Sequence, residues 1–363
     1  MLIYFIILSI LLCTGLFCKN DKYIFFAEFV ALAFIGCFRD ITVGTDLAGS
    51  YLLNWGVINM NPESWGFYSE MEPGFMFLMA FFKTYISNDY YMWYGLMFFI
   101  TILGFTVLIK HFCINPLLGL AIFVSLLYYT SAFNIIRQLF ALSLASLPLI
   151  KLNDNFNKLS FLLYTVFIIF LTFFFHRTLI ILLGPLLLLK FHIFEKKLYG
   201  KPMIIVLILS YMVLISIEYF RFILPHFSGL LSIFGNRYVH YMGTYTANED
   251  NFYSVYSALL RTVIAIIIVF NYKKEETNIF FNFFYISFVL SVIINNFLGG
   301  LSALFLRVGE NLSFFEVILF SNILIQKKRI VRIAIISYAL IIFTKAIIKN
   351  FSEVVPYSNY LLQ

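Results

Sequence analysis

"EPGFMFLMAFFKTYIS", from Glu72 to Ser87, decides how this chain is folded. The piece is apolar enough to enter a bilayer, yet only nine residues separate Pro73 from Lys83. A helical crossing needs about 20 residues. If the piece crosses, the basic loops on its two sides demand opposite orientations of the chain. If it re-enters or lies along the interface, a single orientation satisfies them all. Lys19, Lys22, Lys110, Lys151, Lys158, Lys190, Lys196, Lys197, Lys201, Lys273, Lys274, Lys327, Lys328, Arg329 and Arg332 then share the cytoplasmic side.

The rest of the chain sets the context for that choice. Of its 363 residues, 62% are hydrophobic and only 12% are charged. The mean hydropathy is +0.93, and an average soluble domain carries about twice this share of charge. Continuous apolar runs fall at about 2–18, 23–38, 90–109, 113–130, 133–150, 159–175, 178–194, 202–224, 252–271, 278–297, 303–325 and 331–348. A β-barrel would show shorter alternating segments instead. The expected fold is therefore all-α: a polytopic integral membrane helix bundle of about twelve transmembrane helices plus one re-entrant or interfacial helix. Both termini face outward on this reading. The chain is one transmembrane domain, residues 1–363, with outer loops at about 39–89 and 225–251. The first residues lack a basic start and a small-residue cleavage site, which reads as a retained span.

This topology separates the two basic residue types. Thirteen of sixteen Lys fall inside, whereas seven of nine Arg fall outside or within the spans: Arg39, Arg137, Arg177, Arg221, Arg237, Arg261 and Arg307. Positive-inside bias treats the two alike. Arginine differs in its planar fork of donors, which suits bidentate binding of phosphate or carboxylate. The sorting points to an anionic ligand on the outer side for Arg39, Arg137, Arg177 and Arg307. Pairing with acids or snorkelling accounts for Arg221 and Arg237. The net charge of +7 belongs to short loops between apolar runs, so no nucleic-acid partner is implied.

Several short stretches hold the polar residues. "FRDITVGTDLAGSYLLNW" (Phe38–Trp55) places Thr45 and Asp46 at a helix start, followed by Leu47, Tyr51, Trp55 and Ile58 on one helical face. That pattern predicts an amphipathic outer-surface helix whose free N–H groups stand next to Arg39 as an anion site. Asp46 reads equally as a cap and as a functional acid. "YSEMEPGF" brings Glu70 and Glu72 to the start of the short apolar helix. There Glu72–Pro73 either opens the helix or holds a carboxylate at the mouth of a site. "SAFNIIRQLFALSLASLPLI" (Ser131–Ile150) holds Arg137 and Gln138 inside an apolar run, with Asn134 on the Arg137 face. An intramembrane arginine is costly and marks function by default. "TFFFHRTLI" places His176 and Arg177 at an outer turn, and imidazole can serve as a base near neutral pH. "LSALFLRVGENLSFFE" supplies Arg307, Glu310 and Asn311, where a local pair between Arg307 and Glu310 is the plainer account. The second outer loop adds tyrosines and His240.

P-loop, dinucleotide, HExxH and GxSxG patterns are absent, which argues against ATP-driven transport and those hydrolase classes. The four cysteines show no disulfide framework, and the five histidines no metal-ligand spacing. No metal and no cofactor is expected.

"FRDITVGTDLAGSY", "EPGF", "NIIRQLFALSLA", "FFFHRTLI", "LFLRVGENLSFFE" and the terminal "VVPYSNYLL" occur in the order found in the EpsG-like family, and the chain resembles that family over almost its whole length. The family includes Wzy-type polymerases of O-antigen, capsule and exopolysaccharide repeat units. The resemblance implies a GT-C-like membrane glycosyltransferase in the bacterial cytoplasmic membrane, with its active site on the periplasmic or extracellular side. Its donor is a growing glycan on undecaprenyl pyrophosphate and its acceptor a lipid-linked repeat unit. Membrane lipids, a chain-length regulator and a flippase of the same pathway are the implied partners. Glu72, Asp46 and His176 are the candidate bases. Arg39, Arg137 and Arg307 are candidates to hold the leaving pyrophosphate, and Tyr51, Gln138 and Arg177 complete the substrate-binding set. Two rivals share the pyrophosphate chemistry: a lipid-linked oligosaccharide flippase and an O-antigen ligase. Transporters commonly show repeated halves, and no internal repeat is found here.

Overall fold

The computed structural model describes residues 1–18, 21–65, 71–154, 157–191, 200–216, 255–272, 279–299, 303–326, 328–350 and 353–362. Glu70, Arg221, and the second outer loop with Arg237 and His240 lie outside the described residues. The described chain is helical, and its one sheet-like feature is a single antiparallel bridge between Arg39 and Asn359. It divides into two compact units.

The first unit comprises Met1–Ile180, Phe320–Lys327 and Ala339–Gln363. It begins with α1 (Leu2–Phe17) and α2 (Lys22–Cys37). A single wide turn (Leu47–Tyr51) leads into α3 (Leu52–Val57), followed by α4 (Pro73–Tyr85) and α5 (Tyr90–Phe112). Next come α6 (Pro116–Ser125), α7 (Tyr128–Ser131), α8 (Ile136–Ser146), α9 (Leu149–Asp154) and α10 (Lys158–Phe174). The starts of these helices follow from capping chemistry. Asp21 accepts from the amides of Tyr23 at 2.8 Å and Ile24 at 3.1 Å, and Asp89 accepts from Tyr91 at 2.8 Å. Asn157 and Ser160 cap α10 reciprocally. The second unit comprises Ile181–Leu319 and Lys328–Tyr338. It holds α11 (Leu183–Lys190), α12 (Lys201–Ile215), α13 (Val255–Asn271), α14 (Ile279–Leu298) and α15 (Ala303–Ser313). The residues of α16 (Glu316–Gln326) and α17 (Arg329–Ile348) are shared between the two units.

The apolar runs that are described are helical, and only some of their helices are long enough to span a bilayer on their own. Three described helices are long and apolar enough to span a bilayer: Tyr90–Phe112, Phe280–Leu298 and Arg329–Ile348. The pair Leu306–Ser313 and Glu316–Ile325, bent by 40°, makes a fourth if it is taken as one broken span. Others, such as Leu2–Phe17, are shorter. At 1.5 Å per residue such a helix covers roughly 24 Å, against a hydrocarbon core of about 30 Å. The chain is a multi-pass, all-helical membrane protein, and α4, with 13 residues, is a short apolar helix as expected.

The runs at 113–130 and 133–150 depart most from the continuous helices expected of them. The first breaks after Ser125, where Leu127 adopts a left-handed conformation with φ 70°. The second starts only at Ile136 and stops at Ser146, ahead of Pro148. Proline disfavours the helical conformation of its predecessor and cannot donate to the helix ladder. Pro116–Ser125 is buried along its whole length, as are most side chains of α8. Irregular backbone among apolar helices is tolerated where protein covers it. The second of these, α8, carries Arg137.

Candidate functional site

The site begins with α3 and α4. Leu47, Tyr51, Trp55 and Ile58 are all buried in one cluster with Phe75, Met79, Tyr90 and Trp93, so the face read from the sequence is the face that packs. The Tyr51 and Phe75 rings meet at 5.8 Å, and Trp55 stacks on Trp93 at 6.1 Å. Lys83 of α4 donates to the carbonyls of Trp55 and Gly56 at the end of α3, a C-terminal cap that ties the two helices together. Asp46 stands at the start of the Leu47–Tyr51 turn without accepting a capping bond there.

Glu72 occupies the residue before α4, with Pro73 at the first helical position. Its backbone opens the helix while its side chain makes no capping bond, so helix opening does not account for the carboxylate. That carboxylate turns to α8 instead. Oε2 accepts from Arg137 Nη1 in an ion pair whose side chains are 14% and 11% exposed. Oε1 lies 3.7 Å from His176 Nδ1 and accepts from the Arg177 amide at 3.4 Å. Arg137 Nε donates to the Tyr51 hydroxyl at 3.1 Å. Arg137 Nη2 carries no hydrogen bond among the described residues, so half of the guanidinium fork is open.

Tyr51 is a neutral partner. Burial pushes its hydroxyl above the ordinary tyrosine range by more than the neighbouring Arg137 lowers it. The Asp46 carboxylate is close enough for its charge to act on both Tyr51 and Arg137. Four residues chosen separately in the sequence, Tyr51, Glu72, Arg137 and His176, therefore meet in the first unit, with Asp46 and Arg177 beside them.

Close packing makes this meeting possible. Phe174 ends α10, and His176 follows directly on its last turn, with its amide donating to the Leu171 carbonyl at 3.0 Å. A Cβ on Gly74 would lie 2.6 Å from the Phe174 carbonyl oxygen and 2.8 Å from the Phe174 Cβ. Only glycine lets the first turn of α4 approach the end of α10 this closely, which brings Glu72 to His176.

Arg39 stands elsewhere, contrary to the expectation of an open anion site at the helix start. It is 0% exposed. Its guanidinium lies 4.5 Å from the Phe133 ring centroid, 5.0 Å from Tyr94 and 5.1 Å from Phe98. It donates to the carbonyls of Gly36 at 2.6 Å and Phe133 at 3.4 Å. The negative end of α2 and three aromatic faces offset its desolvation, while Nε has no hydrogen-bond partner among the described residues. Gln138 follows Arg137 on α8 but is buried, and adjacent helical positions do not share a face. Arg307 belongs to the second unit, where it is exposed.

The sequence reading also left out a polar pair of the second unit. Arg261 Nη2 donates to Glu316 Oε2 at 2.9 Å and to Ser291 Oγ at 3.3 Å. The partners lie 55 residues apart, so no local spacing announces them.

A family model described as the EpsG family matches residues 22–359. No curated protein and no solved structure matches the chain. The match runs through every stretch that builds the Glu72–Arg137–His176 cluster, and the chain belongs to the EpsG family, a family of Wzy-like polymerases.

Proposed function

We propose that this chain is a glycan repeat-unit polymerase, which moves a growing glycan from undecaprenyl pyrophosphate onto a lipid-linked repeat unit at the outer face of the cytoplasmic membrane. The observation that carries the reading is a single carboxylate, Glu72, joined at one oxygen to Arg137 and facing His176 with the other. Transfer from a lipid pyrophosphate needs two things. Positive charge must stand where the leaving group gathers negative charge, and a base must take the proton of the attacking hydroxyl.

His176 is the base in this reading. The Glu72 oxygens already accept from Arg137 and Arg177, whereas an imidazole readily exchanges protons near neutral pH. Glu72 Oε1, 3.7 Å from Nδ1, favours the protonated ring by its charge. The acceptor hydroxyl loses its proton to His176 and its oxygen attacks the anomeric carbon. The bond from that carbon to the pyrophosphate oxygen breaks, and the lipid pyrophosphate leaves with the electron pair. The open Nη2 of Arg137, with the exposed Arg177, receives the phosphate oxygens. Arg39 has no part in this step.

The deciding experiment uses the purified chain in proteoliposomes with an undecaprenyl-pyrophosphate-linked repeat unit. Products of two or more units are expected without a nucleotide sugar. Movement of the lipid across the bilayer with no extension would favour the flippase reading, and transfer only to a non-polyprenyl acceptor the ligase reading. Deletion of the gene gives an independent check, because polymerase loss leaves single-unit glycan on the final acceptor.

Two further outcomes follow from the geometry. Gly74→Ala pushes a methyl group against the Phe174 backbone, so extension should fall by about 10²-fold, the typical result of an ångström-scale displacement. Gly56→Ala, whose Cβ meets nothing within 4 Å, should extend normally. Equal activity of the two would show that the α4–α10 approach does not set the site. The outward orientation is tested at Ala48, an exposed position beside Asp46. Ala48→Cys should react with an impermeant thiol reagent applied from the outside. Labelling that requires lysis of the cytoplasmic membrane would reverse the orientation.

A further inference from the structure

The terminal stretch "VVPYSNYLL" takes no part in the cluster, yet it is bound at several points to the stretch that carries Asp46. The Asp40 amide donates to the Ser358 carbonyl at 3.0 Å, and the Tyr360 amide to the Phe38 carbonyl at 3.2 Å. Tyr357 Oη donates to the Ile35 carbonyl and Tyr4 Oη to the Val354 carbonyl, each at 2.8 Å. The Tyr91 and Tyr360 rings meet at 4.4 Å. Residues 353–362 thus form a strap across the end of α2 and the turn that follows.

At Gly44 the strap meets a second holder. The Gly44 amide donates to the Glu353 carbonyl at 3.0 Å. The next amide, of Thr45, donates to Asn134 Oδ1 at 2.6 Å, and the Thr45 hydroxyl reaches the same oxygen at 3.3 Å. Gly44 has φ +104°, and a Cβ there would lie 2.6 Å from Asn134 Oδ1. Glycine is therefore required both for the backbone conformation and for the fit against Asn134. Asn134 precedes Arg137 by three residues at the break before α8, so it links the turn to the arginine's own segment. Asp46 follows Thr45 directly, and the Thr45 hydroxyl also lies 3.3 Å from its Oδ1.

We infer that Asn134 and the carboxy-terminal strap clamp the Gly44–Asp46 turn from two sides, and that Asn134 is a positioning residue which fixes Asp46 relative to Arg137. The inference rests on the polymerase reading of the site. Within it, Asp46 is the acid whose charge acts on Arg137 and Tyr51, and Asn134 acts through it. The Asn134 side-chain oxygen accepts from both the amide and the hydroxyl of Thr45.

The test uses the full chain in proteoliposomes with the lipid-linked repeat unit. Asn134→Ala should lower kcat/KM by about 10²-fold, chiefly through KM for the repeat unit. Asn134→Asp keeps an acceptor oxygen in place and should restore most of the activity. In an Asp46→Asn background, Asn134→Ala should add less than about 2-fold, because coupled residues are not additive. A full additional loss there, or a failure of Asn134→Asp to rescue, would overturn the positioning role. Amide hydrogen exchange gives a readout independent of activity: Gly44 and Thr45 should be protected in the wild type and lose protection both in Asn134→Ala and on removal of residues 353–363. Unchanged protection in both variants would overturn the clamp itself. If Asn134→Ala does not survive purification, Asn134→Ser serves for the same measurements. Absence of extension by the wild-type protein, with protection lost as expected, would instead defeat the polymerase reading and leave the clamp standing.

Discussion

Glu72→Gln should abolish most chain extension while leaving a protein that still inserts in the membrane. The substitution keeps the shape of the side chain but removes its charge, and two losses follow. Arg137 loses its ion-pair partner, and His176 loses the carboxylate that faces Nδ1. Mispositioning or loss of a general base costs typically about 10²–10⁴ in rate. Breaking a buried pair by removing one partner costs up to about 3–5 kcal/mol of stability when the pair is fully desolvated. The Glu72 and Arg137 side chains retain 11% and 14% exposure, so the stability cost here should be below that range. A second variant separates the two effects. Glu72→Gln combined with Arg137→Met removes both charges and should recover protein abundance and thermal stability without recovering extension. Recovery of extension together with abundance would show that the pair serves folding alone.

His176 supplies the complementary measurement. If the imidazole takes the proton, a variant that keeps Glu72 and Arg137 paired but lacks the ring, such as His176→Asn, should lose rate while its affinity for the lipid-linked substrate is little changed. Loss of binding with an unchanged maximal rate would move His176 from the proton-transfer step to the binding of phosphate.

Helix positions were legible in the sequence, and helix continuity was not. Apolar composition sets where a segment is buried, and it placed α5, α10, α14 and α17 to within a few residues of their observed limits. Continuity depends on local backbone events that composition does not register. Leu127 takes a left-handed conformation although it is an ordinary apolar residue, and nothing in "SLLYY" announces that α6 stops at Ser125, ahead of the break read at 131–132. Pro148, just past the end of α8, is the one residue of the two runs whose type alone disfavours helix continuity at a break.

The candidate site divides in the same way. Arg137, Glu72 and His176 stood out because charged and titratable groups are rare in so apolar a chain, and desolvation makes each of them seek a partner; Tyr51 stood out only by its place on one helical face. That they partner one another depends on contacts such as Gly74 against Phe174, which link residues about a hundred positions apart. Arg39 shows the limit of the argument. Its residue type and its place at the end of α2 resembled a ligand site, but it is buried among aromatic rings, with Nη1 and Nη2 given to backbone carbonyls. Only three-dimensional neighbours distinguish an arginine buried by the fold from one that keeps an accessible donor.

Arg137 retains one, and its substitutions should have the largest effect of any in the chain. Nε is held by Tyr51 and Nη1 by Glu72, which fixes the plane of the guanidinium and leaves Nη2 to receive a ligand oxygen. Arg137→Lys keeps the charge but cannot bridge Tyr51, Glu72 and a phosphate at once, because an ammonium on a flexible stem has no fixed fork. It should insert and fold, bind the lipid-linked donor more weakly, and lose extension by about 10²–10³-fold, or about 3–4 kcal/mol, the typical effect of removing one aimed electrostatic contact. Arg137→Ala should lose extension altogether, and it also leaves Glu72 without its ion-pair partner, so its abundance must be measured beside its rate. Tyr51→Phe tests the orientation separately. It removes only the hydroxyl that holds Nε, and it should produce an intermediate loss that disappears in the Arg137→Lys background, where there is no Nε to hold. Extension at the wild-type rate by well-folded Arg137→Ala would remove the leaving group from this arginine. In that case the Glu72 pair would be read as an internal brace for α4 against α8, and the binding of pyrophosphate would have to be sought at Arg177 and Arg307.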